Sequence, residues 1–261
     1  MKLSLSIALV AFSCAVLSCG GSTGGARVSF AAFASGPADA VPGLTFDTLA
    51  GYHVVLDRAQ LHIGALYFNE GQPLSGAQET GCVLQSTYVA QVVGGCDVDL
   101  LSPNPTAFAV AGSGLTRPAA TGEVWYADQD INTQDDPTKI LMVAGTASKG
   151  SVSYAFSGQV TIGKNRELTA LNPALPGSNP ICKQRIVSGL AADFTPQAGG
   201  VVHLRVDPRG WFATLDFSQL PSSGSGVTIA DAITDTQSSI FFSAFKAHNA
   251  YQFTWSTNSA H

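Results

Sequence analysis

Apolar and polar residues alternate along most of this chain with a period of two rather than the helical period of about 3.6. The longest such run is Gly51 to Gly71, GYHVVLDRAQLHIGALYFNEG. Tyr52, Val54 and Leu56 alternate with His53, Val55 and Asp57. Ala59, Leu61, Ile63, Ala65 and Tyr67 then alternate with Arg58, Gln60, His62 and Leu66. Such alternation predicts one long strand, or two sharing a bend, with one buried and one wet face. The apolar set moves from even to odd positions at Asp57-Arg58, which predicts a bulge or a change of sheet there.

The same pattern recurs at Val28–Ala32, Cys82–Val93, Asp97–Leu101, Phe108–Val110, Glu123–Tyr126, Lys139–Ala147, Val152–Ile162 and Ile181–Phe194. VVHLRVDPRGWFATLDF, residues 201–217, predicts a hairpin around Pro208-Arg209-Gly210. Trp211, Ala213, Leu215 and Phe217 then face inward, and Phe212 outward. Only TQSSIFFSAFKAHN, residues 236–249, has helical spacing; Asp235 can cap its start and Asn249 can stop it. Tyr251, Phe253 and Trp255 alternate as a last strand. Strands with short turns and no fixed repeat predict an all-β fold: a single antiparallel β-sandwich, Greek-key or jelly-roll-like, with one short helix near the C-terminus.

Composition agrees. Only 12% of residues are charged against 45% apolar, which suits extended structure with many turns. The net charge of -5 and the lack of any basic cluster argue against nucleic acid as a partner.

The first residues read as a leader. Lys2 is a short positive region, and Leu3 to Leu17 is an apolar and small-residue run, short for a membrane span. It ends in Val16-Leu17-Ser18-Cys19-Gly20, which resembles the lipobox of bacterial lipoproteins. The resemblance implies that residues 1–18 are a signal peptide and that Cys19 is lipidated and becomes the mature N-terminus. Residues 19–26 are then a lipidated Cys with a flexible Gly-Ser tether, and 27–261 the sandwich domain. It also implies a protein exported to the bacterial cell envelope and held on a membrane by its lipid. Gly20 rather than Asp after the Cys favours, by analogy, the outer membrane.

Export allows disulfides. Cys82, Cys96 and Cys182 follow the leader; Cys82–Cys96, flanking a strand and a turn, is the expected pair, with Cys182 bonded to one of the others as the alternative.

Candidate chemistry is sparse. Asp128, Asp130, Asn132, Asp135 and Asp136 place oxygen ligands as a calcium loop does. Thr133 stands where an EF-hand-type loop has glycine, and Lys139 where it has its bidentate Glu, so a solvated loop is the simpler reading. The histidines are His53, His62, His203, His248 and His261. His53 and His62 share the wet face but are separated by roughly 30 Å of strand, at about 3.3 Å per residue, too far to share an ion. His62 with His203 across a sheet is the remaining pairing. Gly158–Asn165, GQVTIGKN, nearly matches a phosphate-binding loop but has Asn165 where Ser or Thr is required, and it ends a strand. Gly112-Ser113-Gly114 lacks the G-x-S-x-G spacing of a nucleophile elbow, and no HExxH occurs. The expectation is a membrane-anchored, non-catalytic binding or envelope-structural module, with an envelope protein or polysaccharide as partner. A calcium- or, less favoured, copper-binding lipoprotein and a hydrolase of an envelope polymer are the alternatives.

Overall fold

The long alternating run forms two strands that belong to different sheets, and the chain crosses from one to the other at Gly64. The computed structural model describes residues 24–72, 87–127, 131–167 and 181–257. In chain order the strands are β1 (Arg27–Ser35), β2 (Leu44–Asp47), β3 (His53–Ile63), β4 (Ala65–Asn69), β5 (Tyr88–Val92), β6 (Cys96–Asp99), β7 (Thr106–Ala107) and β8 (Gly112–Leu115). There follow β9 (Ala119–Trp125), β10 (Leu141–Lys149), β11 (Val152–Val160), β12 (Ile186–Phe194), β13 (Val201–Val206), β14 (Ser222–Ser223), β15 (Gly226–Ile229) and β16 (Tyr251–Ser256). One α-helix, α1 (Thr236–Phe245), precedes β16.

The nine-stranded sheet runs β12-β9-β4-β5-β8-β1-β13-β16, with β7 also on β1. The seven-stranded sheet runs β14-β15-β11-β10-β3-β2, with β6 also on β3. The fold is therefore all-β and two-layered. The sheets are mixed rather than purely antiparallel, because β1–β13 and β11–β15 are parallel pairs. One core lies between them, built from inward positions such as Phe30, Val54, Leu56, Leu61, Phe68, Leu141, Phe156 and Leu204.

The larger sheet nearly closes on itself. Phe194 on edge strand β12 stacks on Trp255 of the other edge strand, β16, with ring centroids 4.6 Å apart. Phe68 meets both Phe194 and Phe253 edge-on. Gly122 on β9 makes room for this closure, since a Cβ there would stand 2.4 Å from the Phe253 ring. The rings thus bring the two edge strands together without a ladder between them.

The expected hairpin over residues 201–217 does not form. β13 pairs with β1 and β16 instead, and Pro208–Phe212 is a 3-10 turn. The reason is local. The Asp207 carboxylate accepts from the Arg209 N–H and Pro208 occupies the first turn, which together start a helical turn rather than a return strand. Helical geometry lets the neighbours Trp211 and Phe212 both point inward, so Phe212, expected to face out, is fully buried. Phe212 packs on Phe156 and Phe241, and Trp211 on Phe245. This segment thereby ties β11 to α1.

The helix begins as expected, with the Asp235 side chain accepting from the Ser238 N–H at 2.7 Å. It ends at Phe245, earlier than Asn249, because a separate 3-10 turn, His248–Ala250, leads into β16. Among the described residues no helix is long and apolar enough to cross a membrane.

Candidate functional site

The phase slip in β3 is a bulge. Leu56 pairs with Gly145 and Arg58 with Ala144, so Asp57 has no partner across the ladder. Val54 and Leu56 enter the core before the bulge, and Ala59, Leu61 and Ile63 after it. Asp57 and Arg58 consequently both face solvent, and Arg58, Gln60 and His62 follow one another on the wet face. Gly145 opposite the bulge cannot be larger: a Cβ there would stand 2.2 Å from the Val55 carbonyl oxygen.

This wet face is a groove running across β6, β3, β10, β11 and β15. One hollow of about 490 Å³ is lined by His62, Asp97, Asp99, Lys139 and Met142, among others. A second, of about 450 Å³, is lined by Arg58, Lys139, Met142, Gln159 and Asp231, among others. The two share Lys139 and Met142 and so join end to end. Several of the polar groups are held in place. Arg58 Nε and Nη2 donate to Gln60 Oε1 at 3.1 and 2.7 Å. His62 Nδ1 lies 2.7 Å from Asp97 Oδ1. Asp99 accepts from the Leu101 N–H, and Asp231 from the N–H and hydroxyl of Thr161. Ala144, Ser157 and Gly158 keep the middle of the face flat.

The acidic loop is not assembled among the described residues. Asp128 and Asp130 lie outside them. Asp135 is paired with Lys164 at 2.8 Å. Asp136 accepts from the Thr138 N–H and lies 3.9 Å from Arg185 Nη2. Burial raises the Asp136 carboxyl, but the Thr138 hydrogen bond and the charges of Arg185 and His62 outweigh it and hold it below the usual Asp value. Asn132 is exposed at the loop's surface. Among the described residues no three His, Cys, Asp or Glu side chains converge as metal ligands. The pairing of His62 with His203 is overturned: β3 and β13 lie in different sheets. His203 Nε2 instead sits 3.0 Å from Ser35 Oγ, and His53 pairs with Asp47. Cys19 and His261 lie outside the described residues.

The cysteines also depart from expectation. Cys96 is a free thiol, so the Cys82–Cys96 bond does not form. The alternation of β6 turns Cys96 into the core beside Val98, where its Sγ lies 3.8 Å from the Thr106 carbonyl oxygen. Burial, with the Asp97 charge, pushes its pKa up to about 11. Cys182 is buried and disulfide-bonded, with a partner outside the described residues, as Cys82 itself is. Peptide mapping of unreduced, denatured protein should therefore find Cys96 alkylated and Cys182 blocked until reduction. Cys96 blocked without reductant would contradict this.

A site that the alternation pattern hid lies on the far face of the nine-stranded sheet. Glu123 is fully buried there. Its carboxylate accepts from Asn69 Nδ2 at 3.1 Å, the Tyr88 hydroxyl at 3.3 Å and Trp125 Nε1 at 2.8 Å. Tyr67 packs on both Trp125 and Tyr88. The donors are all neutral. Burial raises the Glu123 pKa, and the three hydrogen bonds offset only part of that. Burial, with the nearby Glu123 charge, also raises the Tyr67 and Tyr88 hydroxyls. The one available signal was a lone carboxylate inside the otherwise apolar stretch Gly122–Tyr126.

The consequence for stability has a definite sign. The folded protein keeps the Glu123 proton over a pH range in which the unfolded chain has already lost it. Stability thus falls as pH rises from the ordinary Glu value through the raised one. Glu123→Gln should fold, and its melting temperature should decline less than the wild type's as pH rises above the ordinary Glu value. Parallel declines would show that Glu123 does not carry the effect.

No family model, curated protein or solved structure matches the chain.

Proposed function

We propose that this chain is an exported lipoprotein, anchored through Cys19 in the bacterial envelope, whose groove on the seven-stranded sheet binds an envelope polysaccharide without transforming it. One observation carries the binding role: two joined hollows line up polar side chains along one face, with Arg58, Gln60 and His62 of β3 set outward past its bulge. A hydroxyl-rich chain needs donors and acceptors in alternation along a surface it can lie against. Arg58 and Lys139 supply donors, Asp97, Asp99 and Asp231 acceptors, and Gln60 and Gln159 both. Anchoring rests on the Val16–Gly20 motif and the Gly-rich tether behind it. A calcium-binding role for Asp128, Asp130, Asn132, Asp135 and Asp136 stays second, because Asp135 and Asp136 already face cations.

Fractionation tests the anchor: Cys19→Ala should move the protein from membrane to soluble fractions. Co-sedimentation with insoluble envelope polysaccharide tests the groove. Arg58→Ala with Lys139→Ala should raise the Kd read from the sedimentation isotherm at least about tenfold, the equivalent of roughly 1.4 kcal/mol. Undiminished sedimentation of a folded double variant would place binding elsewhere.

A further inference from the structure

Beneath the far end of the groove, two cations meet around one aromatic ring. Arg166, in the 3-10 turn Lys164–Arg166, has a side chain only 1% exposed. Its Cζ lies 4.3 Å from the centroid of Phe242 on α1. Lys246, at the C-cap of the same helix, lies 5.9 Å from that centroid. Arg166 Nη2 donates to Asp231 at 3.0 Å, but Nε and Nη1 are buried without any partner. Lys246 Nζ donates to the Lys183 carbonyl at 2.7 Å and approaches Gln184 Oε1 at 3.5 Å. Among the described residues no carboxylate lies within ion-pair distance of Lys246. Burial lowers the Lys246 pKa to about 8.

The two observations are independent, and both signal missing negative charge. Buried donors are almost always satisfied, and each one that is not costs about 1–3 kcal/mol. A water molecule would satisfy the Arg166 donors but would leave the Lys246 amine without a counter-charge. The side chain of Arg166 reaches almost no solvent, which limits any partner to the size of a simple ion. We infer that the Arg166–Phe242–Lys246 cluster binds a small inorganic anion, of the size and charge of chloride, on the unpartnered Nε and Nη1 of Arg166. The anion completes the Arg166–Asp231 pair and holds the 3-10 turn against α1.

The test uses the whole mature protein and chloride itself. Melting temperatures are compared in sodium chloride and in sodium gluconate at equal ionic strength, gluconate being too large to enter. The wild type should melt at least about 3 °C higher in chloride. In Arg166→Gln that difference should vanish. Crystals of the wild type soaked in bromide give a second measurement that does not depend on folding of the variant: an anomalous peak at hydrogen-bond distance from Arg166 Nε and Nη1. Equal melting in the two salts, a difference that persists in Arg166→Gln, or no bromide at Arg166 each overturns the inference.

Discussion

Leu56→Asp should leave no cooperatively folded protein. Leu56 is fully buried and is the last inward residue before the bulge. The substitution removes about 1.5–3 kcal/mol of apolar burial and leaves a carboxylate in the core without a partner, which costs several more. The sum is comparable with the entire stability of a domain, about 5–15 kcal/mol. The expected result is loss of the urea transition, read by far-UV circular dichroism. A folded Leu56→Asp variant of near wild-type stability would contradict the placement of Leu56 in the core. Deletion of Asp57 should have the opposite outcome. The residue makes no pair across the ladder, and without it Leu56 still faces in, Arg58 out and Ala59 in, so both faces survive with the bulge removed. A deletion variant that lost its urea transition would mean that the bulge does more than absorb the phase slip.

The second large effect belongs to Trp211. Its side chain is fully buried and packs edge-on against Phe241 and Phe245. Trp211→Ala should destabilise the fold by about 3–5 kcal/mol, since the turn that carries it also carries Phe212 and cannot easily collapse into the space. Trp211→Phe should cost far less, because the indole N–H is buried without an acceptor and its removal relieves that penalty. Chemical denaturation of the two variants measures the contrast. Similar losses for both would indicate that indole volume alone matters.

These residues also mark what could be read from the sequence. The bulge at Asp57 was legible because alternation records which face each residue takes, and a slip in alternation has few physical meanings. The helix start at Asp235 was legible for a similar reason: a cap and its helix are neighbours in the chain. Trp211 was read correctly as inward, but its neighbour Phe212 was misread as outward because both sit in an alternating run. The competing signal, Asp207-Pro208 opening a helical turn, prevailed once β13 found partners distant in sequence in β1 and β16. The crossing at Gly64 was only partly visible. The sequence located the irregularity at Asp57, and the change of sheet comes after Ile63, where alternation continues unbroken. Glu123 and Cys96 were missed because alternation says which face a residue takes and not what lies over it. The groove was half legible: Arg58, Gln60 and His62 share a face by count, whereas Asp97, Lys139, Gln159 and Asp231 join them only through pairing across the sheet.

The central claim, that the groove binds an envelope polysaccharide, can be tested at one methyl group. The chain has only two methionines, Met1 and Met142, and Met142 is the one among the described residues. It lies where the two hollows join, its sulfur 3.3 Å from Arg58 Nη2. With methyl-13C methionine incorporated, titration with soluble envelope polysaccharide should shift the Met142 methyl resonance, and Arg58→Ala should reduce the response. Saturable binding by the wild type that leaves the Met142 resonance unmoved would contradict the account.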